Sequence, residues 1–200
     1  MTPRWERGRS QRKMIDTTAE KITEHHPAPR EGHEAEYELL EEMIGDLKDA
    51  IIEEDTYVHK QPRRIFVQVH PEKIRNVIQH MLDKYDMWQF ITVSGRDLGD
   101  DLQACYHFVM NDRKIAITFR LNVPRNKPEH PTISDLVPAA EFIENEVREL
   151  FGIVQIGHPN VRRIELPEDW PANEYPMRKD WEDPRGLMKK SRTTGPKEGI

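Results

Sequence analysis

The sequence predicts an α+β fold, in which helices pack on a mixed or antiparallel sheet within one domain that carries extended arms at both ends. Three observations predict this class. A strand-like run at 64–69 leads into a helical apolar pattern. A polar turn joins two further strand-like runs, at 102–110 and 114–121. The chain has 200 residues, enough for one domain with a hydrophobic core, but 33% of them are charged, so part of the chain should lie outside that core.

The first elements are a polar arm and an acidic helix. Residues 1–33 combine a basic head with a segment that carries His and Pro, and no apolar period runs through them, which predicts a flexible arm. From Glu34 to Ile51, apolar residues recur at helical spacing, and carboxylates fill most of the other positions. This pattern predicts an amphipathic helix over 34–51.

The next elements are a strand, a helix and a hairpin. The strand at 64–69 is followed by Pro71, a residue that the first turn of a helix tolerates, and then by apolar residues at helical spacing as far as Tyr85. Residues 88–94 predict a second strand. The turn Asn111-Asp112-Arg113 suits an antiparallel hairpin between the two runs that flank it. About four strands and two helices are therefore expected before residue 125.

A further helix is predicted after a proline-bounded loop. Residues 124–131 form that loop, and Ser134-Asp135 offers a side-chain cap for a helix that begins at Asp135 or Pro138 and runs to Phe151. Gly152 should end this helix, because glycine readily takes the left-handed conformation past a helix end.

The chain beyond this helix is predicted to leave the domain. We expect an α+β domain over 34–154, and an extended docking segment and tail over 155–200, because this stretch has little period and carries three prolines between 167 and 176. Residues 155–182 should form an ordered extension, and the basic remainder should order only on a partner.

The predicted helix before Gly152 carries a dense cluster of charges. Helical geometry predicts a buried stripe formed by Ala140, Phe142, Ile143, Val147, Leu150 and Phe151. The polar residues that should fall largely outside this stripe are Glu144, Asn145, Arg148 and Glu149. Two interpretations remain open. Either this is a solvated face with exposed ion pairs worth about 0–1 kcal/mol each, or it is an interface or a fold-fixing cluster in which Arg162 and Arg163 fork onto the carboxylates.

Two separated motifs in this region resemble a known family. The first comprises Glu144, Glu146, Glu149, Leu150-Phe151-Gly152, His158, Arg162 and Arg163-Ile164, and the second comprises Glu168-Asp169-Trp170 and the segment from Tyr175 to Asp180. Their order and spacing resemble the signature of the small hydrophilic C-subunit family of complex I (NADH:quinone oxidoreductase) and of its relatives in membrane-bound hydrogenases. Asn145 stands where this signature has arginine, Phe142 where it often has Trp, and Glu165 at a position that is usually apolar.

The resemblance implies a non-catalytic peripheral subunit of a multi-subunit respiratory oxidoreductase on the cytoplasmic face of the cell membrane. It implies that the domain docks on a large subunit, of the quinone-site or nickel–iron type, and lies near a small iron–sulfur subunit. The cofactors, iron–sulfur clusters with nickel–iron or flavin, would belong to these partners and none to this chain. A hydrogenase-like, ferredoxin-driven complex is favoured by Asn145 and the unmatched arms, and a NADH or other donor:quinone oxidoreductase is the alternative.

The resemblance also marks the residues expected to fix the signature helix or to dock on partners. They are Glu144, Glu146, Glu149, Phe151, Gly152, His158, Arg162, Arg163, Trp170, Arg178, Lys179 and Trp181. Aromatic residues and arginine are the types that anchor interfaces, and here they lie on a segment without regular period. The alternative for Trp170 and Trp181 is that they fold back on their own domain.

The composition argues against several other classes of protein. A formal net charge of −6 gives no whole-molecule attraction to nucleic acid or to an anionic membrane. The single cysteine, Cys105, rules out an internal disulfide and cannot by itself hold an iron–sulfur cluster, so a buried small hydrophobe is expected rather than a nucleophile. Neither a membrane-spanning apolar run nor a signal-peptide core is present, and we therefore expect a cytoplasmic chain that meets the membrane only through partners.

Other kinds of site have weaker support. The nine histidines include no His-Glu-x-x-His motif, so no metal site is expected. His158 with Arg162 and Arg163 could bind an anion, but pairing with carboxylates is favoured. The basic ends could bind nucleic acid, a different class of function that salt-dependent binding would reveal. A free-standing enzyme would require a coherent acid, base or nucleophile set, and none is recognised.

Overall fold

The computed structural model describes residues 27–85 and 88–183. Within these ranges the helices are α1 (Glu34–Asp46), α2 (Ile74–Lys84) and α3 (Ala140–Phe151). The strands are β1 (Tyr57–Val58), β2 (Arg64–Gln68), β3 (Trp88–Asp97), β4 (Asp101–Met110), β5 (Ile115–Pro124), β6 (Glu129–Pro131) and β7 (Val154–Ile156). Short 3₁₀ turns occupy 53–55 and 71–73. The predicted α+β class, with helices packed on a mixed sheet, is confirmed.

The main sheet has five strands in the order β1-β2-β5-β4-β3. β2 and β5 run parallel, and the chain between them forms α2, β3 and β4. The other pairs of neighbouring strands in this sheet are antiparallel. The predicted hairpin is the pair β4 and β5, which meet at Met110 and Ile115. β6 and β7 form a separate parallel pair at the two ends of the segment that contains α3.

One face of the main sheet forms the hydrophobic core. The strand period of two places Tyr106 of β4 opposite Phe119 of β5, and both side chains are fully buried on this face. α3 packs here against β3, and the approach is close enough that a Cβ on Gly95 would lie 2.3 Å from the ring of Phe151. Glycine is therefore required on β3 where α3 crosses it.

The other face of the sheet carries polar side chains that are hydrogen-bonded across strands. The Oγ of Ser94 lies 2.8 Å from Nε2 of His107, whose Nδ1 lies 3.0 Å from Oγ1 of Thr118. Cys105 is buried beside this row, and burial raises the pKa of its thiol to about 11. A thiol that keeps its proton is a poor nucleophile, in agreement with the expected role of Cys105 as a small buried side chain.

α1 is shorter than the sequence predicts. It ends at Asp46 instead of Ile51, and a turn follows. Ile51 instead makes an isolated antiparallel bridge with Val69 next to β2. The apolar period continues beyond the helix because Leu47 and Ile51 reach the same core from the turn, where both are buried.

The predicted start of α3 is also wrong. The helix begins at Ala140 without a side-chain cap, not at Asp135 or Pro138. The carboxylate of Asp135 is engaged by Arg75 of α2, at 2.7 Å, so it does not cap α3. The short strands β1, β6 and β7 were not predicted, and β6 lies inside the predicted loop, because two or three residues are too few to display a period.

Part of the predicted N-terminal arm is described. Ala28 is buried, and its N–H donates to the carbonyl of Val58 in β1 at 2.9 Å. Arg30 pairs with Glu41 of α1 on the surface. The predictions for residues 1–26 and for the tail after 183 lie outside the described residues and stay predictions.

Candidate functional site

The signature motif lies on α3 and on the chain that follows it. α3 ends at Gly152, which has a left-handed φ of 72° and donates its N–H to the carbonyl of Arg148, as the sequence predicts. A Cβ at this position would lie 2.5 Å from the Tyr175 ring and 2.6 Å from the Arg178 guanidinium. Gly152 therefore both ends the helix and lets the C-terminal segment pass over its end.

The predicted buried stripe of α3 is wrong in three places. Glu144 and Asn145 are buried, with 0% and 2% of their surface exposed, whereas Phe142 is 46% exposed. The reason is that α3 is covered twice, by the sheet on one side and by the irregular chain around 158–166 on another. This second cover supplies backbone hydrogen-bonding groups that polar side chains can satisfy.

Glu144 fastens α3 to the sheet and to the chain after β6. Its carboxylate accepts hydrogen bonds from the Tyr106 hydroxyl at 2.7 Å, from the Ile133 N–H at 3.1 Å and from the Thr132 hydroxyl. Burial raises the pKa of Glu144, and these hydrogen bonds oppose the rise. Sequence reasoning missed Tyr106 and Thr132, for which no local pattern exists because their partner lies on a distant helix.

His158 fixes the turn after β7 to the start of α3. Its Nε2 lies 3.0 Å from the carbonyl of Glu141, and its Nδ1 accepts the N–H of Asn160 at 3.2 Å. A carbonyl only accepts, so Nε2 carries the proton in this tautomer. The ring is buried, with Nε2 3.9 Å from the Glu144 carboxylate. Both ring nitrogens of His158 are therefore engaged by the chain's own groups, which disfavours the anion site that the sequence left as the weaker possibility.

Asn145 stands where the resemblance expects arginine, and its amide is fully used. Its Nδ2 donates to the carbonyls of Glu141 at 3.1 Å and Asn160 at 2.9 Å, and its Oδ1 accepts the N–H of Arg162 at 3.2 Å. A neutral amide thus binds the chain at 160–162 to α3 without any ion pair.

Glu149 and Arg163 likewise bind backbone groups. The Glu149 carboxylate accepts the three successive N–H groups of residues 164–166, at 2.9, 2.8 and 3.3 Å. The Arg163 guanidinium donates to the carbonyls of Pro167 at 2.9 Å and Trp170 at 2.7 Å. The fork of arginines onto carboxylates, one of the two interpretations that the sequence leaves open, is absent from the described part of the chain, where neither Arg162 nor Arg163 pairs with a carboxylate.

Glu146 is the exception among the signature carboxylates. Partial burial and the neighbouring carboxylate of Glu165 raise its pKa. Within residues 27–85 and 88–183, Glu146 forms no salt bridge.

The two tryptophans of the C-terminal segment pack on each other. The rings of Trp170 and Trp181 stack with centroids 5.8 Å apart, and Trp170 is buried. The Trp170 indole donates to the carbonyl of Glu174 at 2.9 Å, and the Trp181 indole donates to the Glu174 carboxylate at 2.6 Å. Both rings therefore pack within their own segment, and Trp181 remains partly exposed.

The next part of this segment is fastened to the end of α3 and of β3. Arg178 donates from Nε to the carbonyl of Phe151 at 2.7 Å and covers the Tyr175 ring at 4.2 Å, and burial lowers its pKa. The N–H of Lys179 donates to the Asp97 carboxylate at 2.8 Å. The segment around residues 178–179 is thus hydrogen-bonded to the domain.

The chain around α3 also leaves apolar side chains exposed. Among the described residues, the large exposed hydrophobic side chains are Ile91, Phe142, Ile156, Val161 and Met177. All but Ile91 belong to α3 or to the chain after it. Val161 follows Asn160, which is bonded to Asn145, and the N–H of Met177 donates to the carbonyl of Leu150 at 3.2 Å. α3 and the chain after it therefore carry apolar side chains that the described part of the chain leaves 46–56% exposed.

A cavity of about 380 Å³ lies between α3 and the loop that follows it. Its walls include Arg148 and Glu149 of α3 and, opposite them, Arg162, Leu166 and Trp170. No helix in the ranges the structure covers is long and apolar enough to cross a membrane. No group of three or more potential metal ligands occurs among the same residues.

A known family matches most of this architecture. The family described as respiratory-chain NADH dehydrogenase, 30 Kd subunit, matches residues 67–185, which is more than half of the chain and includes α2, the strands β3 to β7, α3 and the C-terminal segment as far as residue 185. The chain belongs to this family. The resemblance inferred from the signature motifs is therefore confirmed, and the chain is a member of a family of subunits of complex I-like and hydrogenase-type oxidoreductase complexes.

Curated relatives of the 30 Kd subunit family fall in more than one type of complex. The chain is 30% identical over 146 residues to the C-subunit of F(420)H(2) dehydrogenase of Methanosarcina mazei, covering 72% of this chain and 90% of that one. It is 31% identical over 147 residues to the C-subunit of NADH-quinone oxidoreductase of Roseiflexus sp., covering 71% and 81%. It is 49% identical over 72 residues to formate hydrogenlyase subunit 5 of Escherichia coli, covering 36% of this chain but only 13% of that longer protein.

Two solved structures share the fold of this 30 Kd family member. A chain of the membrane-bound sulfane sulfur reductase, an archaeal respiratory membrane complex, superimposes with a TM-score of 0.60 at 20% identity, over 82% of this chain and 98% of that one. The trypsin-resistant fragment of Nqo5 superimposes with a TM-score of 0.51 at 24% identity, over 63% and 98%. At such low identity these likenesses establish the fold alone.

Proposed function

We propose that this chain is a cofactor-free, peripheral subunit that docks on and positions the large and small electron-transfer subunits of a membrane-bound respiratory oxidoreductase, on the cytoplasmic face of the membrane. Membership of the 30 Kd subunit family supports the setting in such a complex. The observation that carries the docking role is the set of exposed apolar side chains that borders α3.

The region around α3 is built to present these side chains to a partner. The backbone on either side of Val161 is bound to Asn145, and the backbone of Met177 is bound to Leu150, while the two residues are 55% and 56% exposed. A surface that is already ordered loses little conformational entropy when it binds. Exposed apolar side chains on ordered backbone are typical of the core of a protein interface.

A hydrogenase-type complex is the favoured setting, with nickel–iron and iron–sulfur centres on the partner subunits. The 49% identity over 72 residues to formate hydrogenlyase subunit 5 supports this choice. A NADH or other donor:quinone oxidoreductase is the second candidate, supported by the 31% identity to the C-subunit of a NADH-quinone oxidoreductase. The relative amounts of nickel and flavin that co-purify with the chain distinguish the two settings.

The test is co-purification of the tagged full-length chain from its native membranes after gentle detergent extraction. We expect iron-containing partner subunits with the wild-type chain. We expect a loss of at least about tenfold in their recovery when Phe142, Val161 and Met177 are all replaced by Asp, because a charge in an apolar interface costs several kcal/mol. Ile91→Asp is the matched control, since Ile91 is also exposed but lies at the irregularity of β3, beside the groove on the other sheet face.

Two results would overturn the proposal. One is a wild-type chain recovered without metal-containing partners. The other is a triple variant that folds normally, judged by thermal unfolding of the isolated chain, and still recovers its partners at full yield.

A further inference from the structure

We infer that the cavity between α3 and the loop after β7 receives a carboxylate-bearing segment of a partner subunit, in which an acidic side chain bound by Arg148 and Arg162 adjoins an aliphatic or aromatic one. The inference rests on the proposed docking function and names the chemistry of the segment that docks. Three observations support it: the volume of the cavity, the apolar residues in its wall, and the hydrogen-bond partners of its charged groups.

The cavity is large enough for side chains of a second protein. Its volume is about 380 Å³, within the range of sites that bind small groups. Val161, Leu166 and Trp170 form apolar parts of its wall opposite α3. Val161 is 55% exposed and stands at the rim, so that an incoming segment would cover it. The walls therefore favour a segment with an aliphatic or aromatic side chain.

Only some of the charged side chains that line the cavity have hydrogen-bond partners. Its lining contains the carboxylates of Glu149 and Glu174, and both are engaged, by three backbone N–H groups and by the Trp181 indole respectively. Arg163 is also engaged, by two backbone carbonyls.

The other charged groups in the cavity lining are the guanidinium groups of Arg148 and Arg162. Within residues 27–85 and 88–183, neither group forms a salt bridge or a side-chain hydrogen bond. A guanidinium binds a carboxylate through two parallel hydrogen bonds, and an apolar side chain that enters beside it would shield that contact from water and strengthen it. The site is thus complementary to a carboxylate attached to an apolar body.

The sign of the charge argues against the chain's own tail as the occupant. Residues 184–200 carry five basic side chains, Arg185, Lys189, Lys190, Arg192 and Lys197, but only one acidic side chain, Glu198. Such a segment would be repelled by two arginines. An acidic segment of a partner subunit is the occupant that fits both the charge and the walls.

The test places a photo-reactive benzophenone amino acid at position 161 of the full-length chain in the native complex. Irradiation followed by mass spectrometry identifies the segment that lies at the cavity. We expect a cross-link to a partner-subunit segment in which Asp or Glu adjoins an apolar residue. We expect its yield to fall at least about tenfold in the Arg148→Gln/Arg162→Gln double variant, because bidentate carboxylate contacts are lost. Arg64→Gln is the control, since Arg64 is exposed on β2, away from the cavity.

A charge exchange then tests the contact itself. Arg162→Glu should abolish the cross-link, and replacing the identified partner carboxylate by Arg should restore it. The Arg148→Gln/Arg162→Gln variant should unfold close to the wild-type temperature, because neither guanidinium forms a salt bridge or a side-chain hydrogen bond within the described chain.

The outcomes separate this inference from the proposed function. A cross-link to residues 184–200, to a second copy of the chain, to lipid or to a basic segment overturns the inference. So does normal co-purification combined with a cross-link that the double variant leaves unchanged. In those cases the docking role stands, whereas a wild-type chain without partners overturns both.

Discussion

Replacing Glu144 by Ala should destabilise the domain. The substitution leaves the Tyr106 hydroxyl and the Ile133 N–H buried without an acceptor, while the Thr132 hydroxyl keeps Ser134 as a partner. Each buried donor left unpaired costs about 1–3 kcal/mol. Relief of the buried charge offsets part of this cost, so we expect the free energy of unfolding to fall by about 3 kcal/mol at neutral pH.

Urea unfolding of the full-length chain, followed by far-ultraviolet circular dichroism, measures this loss. A drop of about 3 kcal/mol corresponds to a midpoint lowered by roughly 1.5 M urea for a slope near 2 kcal/mol/M. The matched control is Glu146→Ala, two residues along the same helix. Glu146 is more exposed and faces the carboxylate of Glu165, so its removal should change stability by less than about 0.5 kcal/mol. If Glu144→Ala proved no more costly than this control, the fastening role of Glu144 would be refuted.

Two further changes test the packing and the buried charge. Gly95→Ala should lower the free energy of unfolding by about 1–3 kcal/mol, because its Cβ would overlap the Phe151 ring. Gly45→Ala on α1, where nothing lies within 4 Å, should leave stability unchanged or raise it slightly, and equal effects of the two would contradict the close crossing of α3. Because burial raises the pKa of Glu144, the folded state holds this proton more tightly than the unfolded state, and stability relative to Glu144→Gln should grow as the pH falls from neutral and level off below the ordinary glutamate range. Urea titrations of both proteins across this pH range measure the difference in their free energies of unfolding. If the stability of the wild type relative to Glu144→Gln grew as the pH rose, the direction of the pKa shift would be disproved.

The sequence predicts the elements that carry their own period. α2, the hairpin of β4 and β5, and the end of α3 at Gly152 follow from apolar spacing and turn chemistry within a few residues. The burial of Glu144 and Asn145 does not follow in this way. Their partners come from β4, from the chain after β6 and from the chain after β7, and no helical pattern carries information on such distant groups.

The sequence pointed to α3 and the chain after it, but not to the contacts that these residues make. Charge spacing left open a fork of arginines on carboxylates, whereas Glu149 and Arg163 bind backbone groups. The sequence could not distinguish these cases, because every residue offers backbone N–H and carbonyl groups whatever its side chain. The cavity beside Arg148 and Arg162 depends on that same tertiary arrangement.

The contact between Glu149 and the three N–H groups of residues 164–166 has a consequence for how this family can vary. The carboxylate binds only main-chain groups, and any amino acid except proline can donate a backbone N–H at these positions. Substitutions at these positions can therefore accumulate without loss of the loop's shape. Glu165, at a position that is usually apolar in the resembled signature, is one such substitution. The loop can thus change the surface that it offers to a different partner while its path over α3 stays the same.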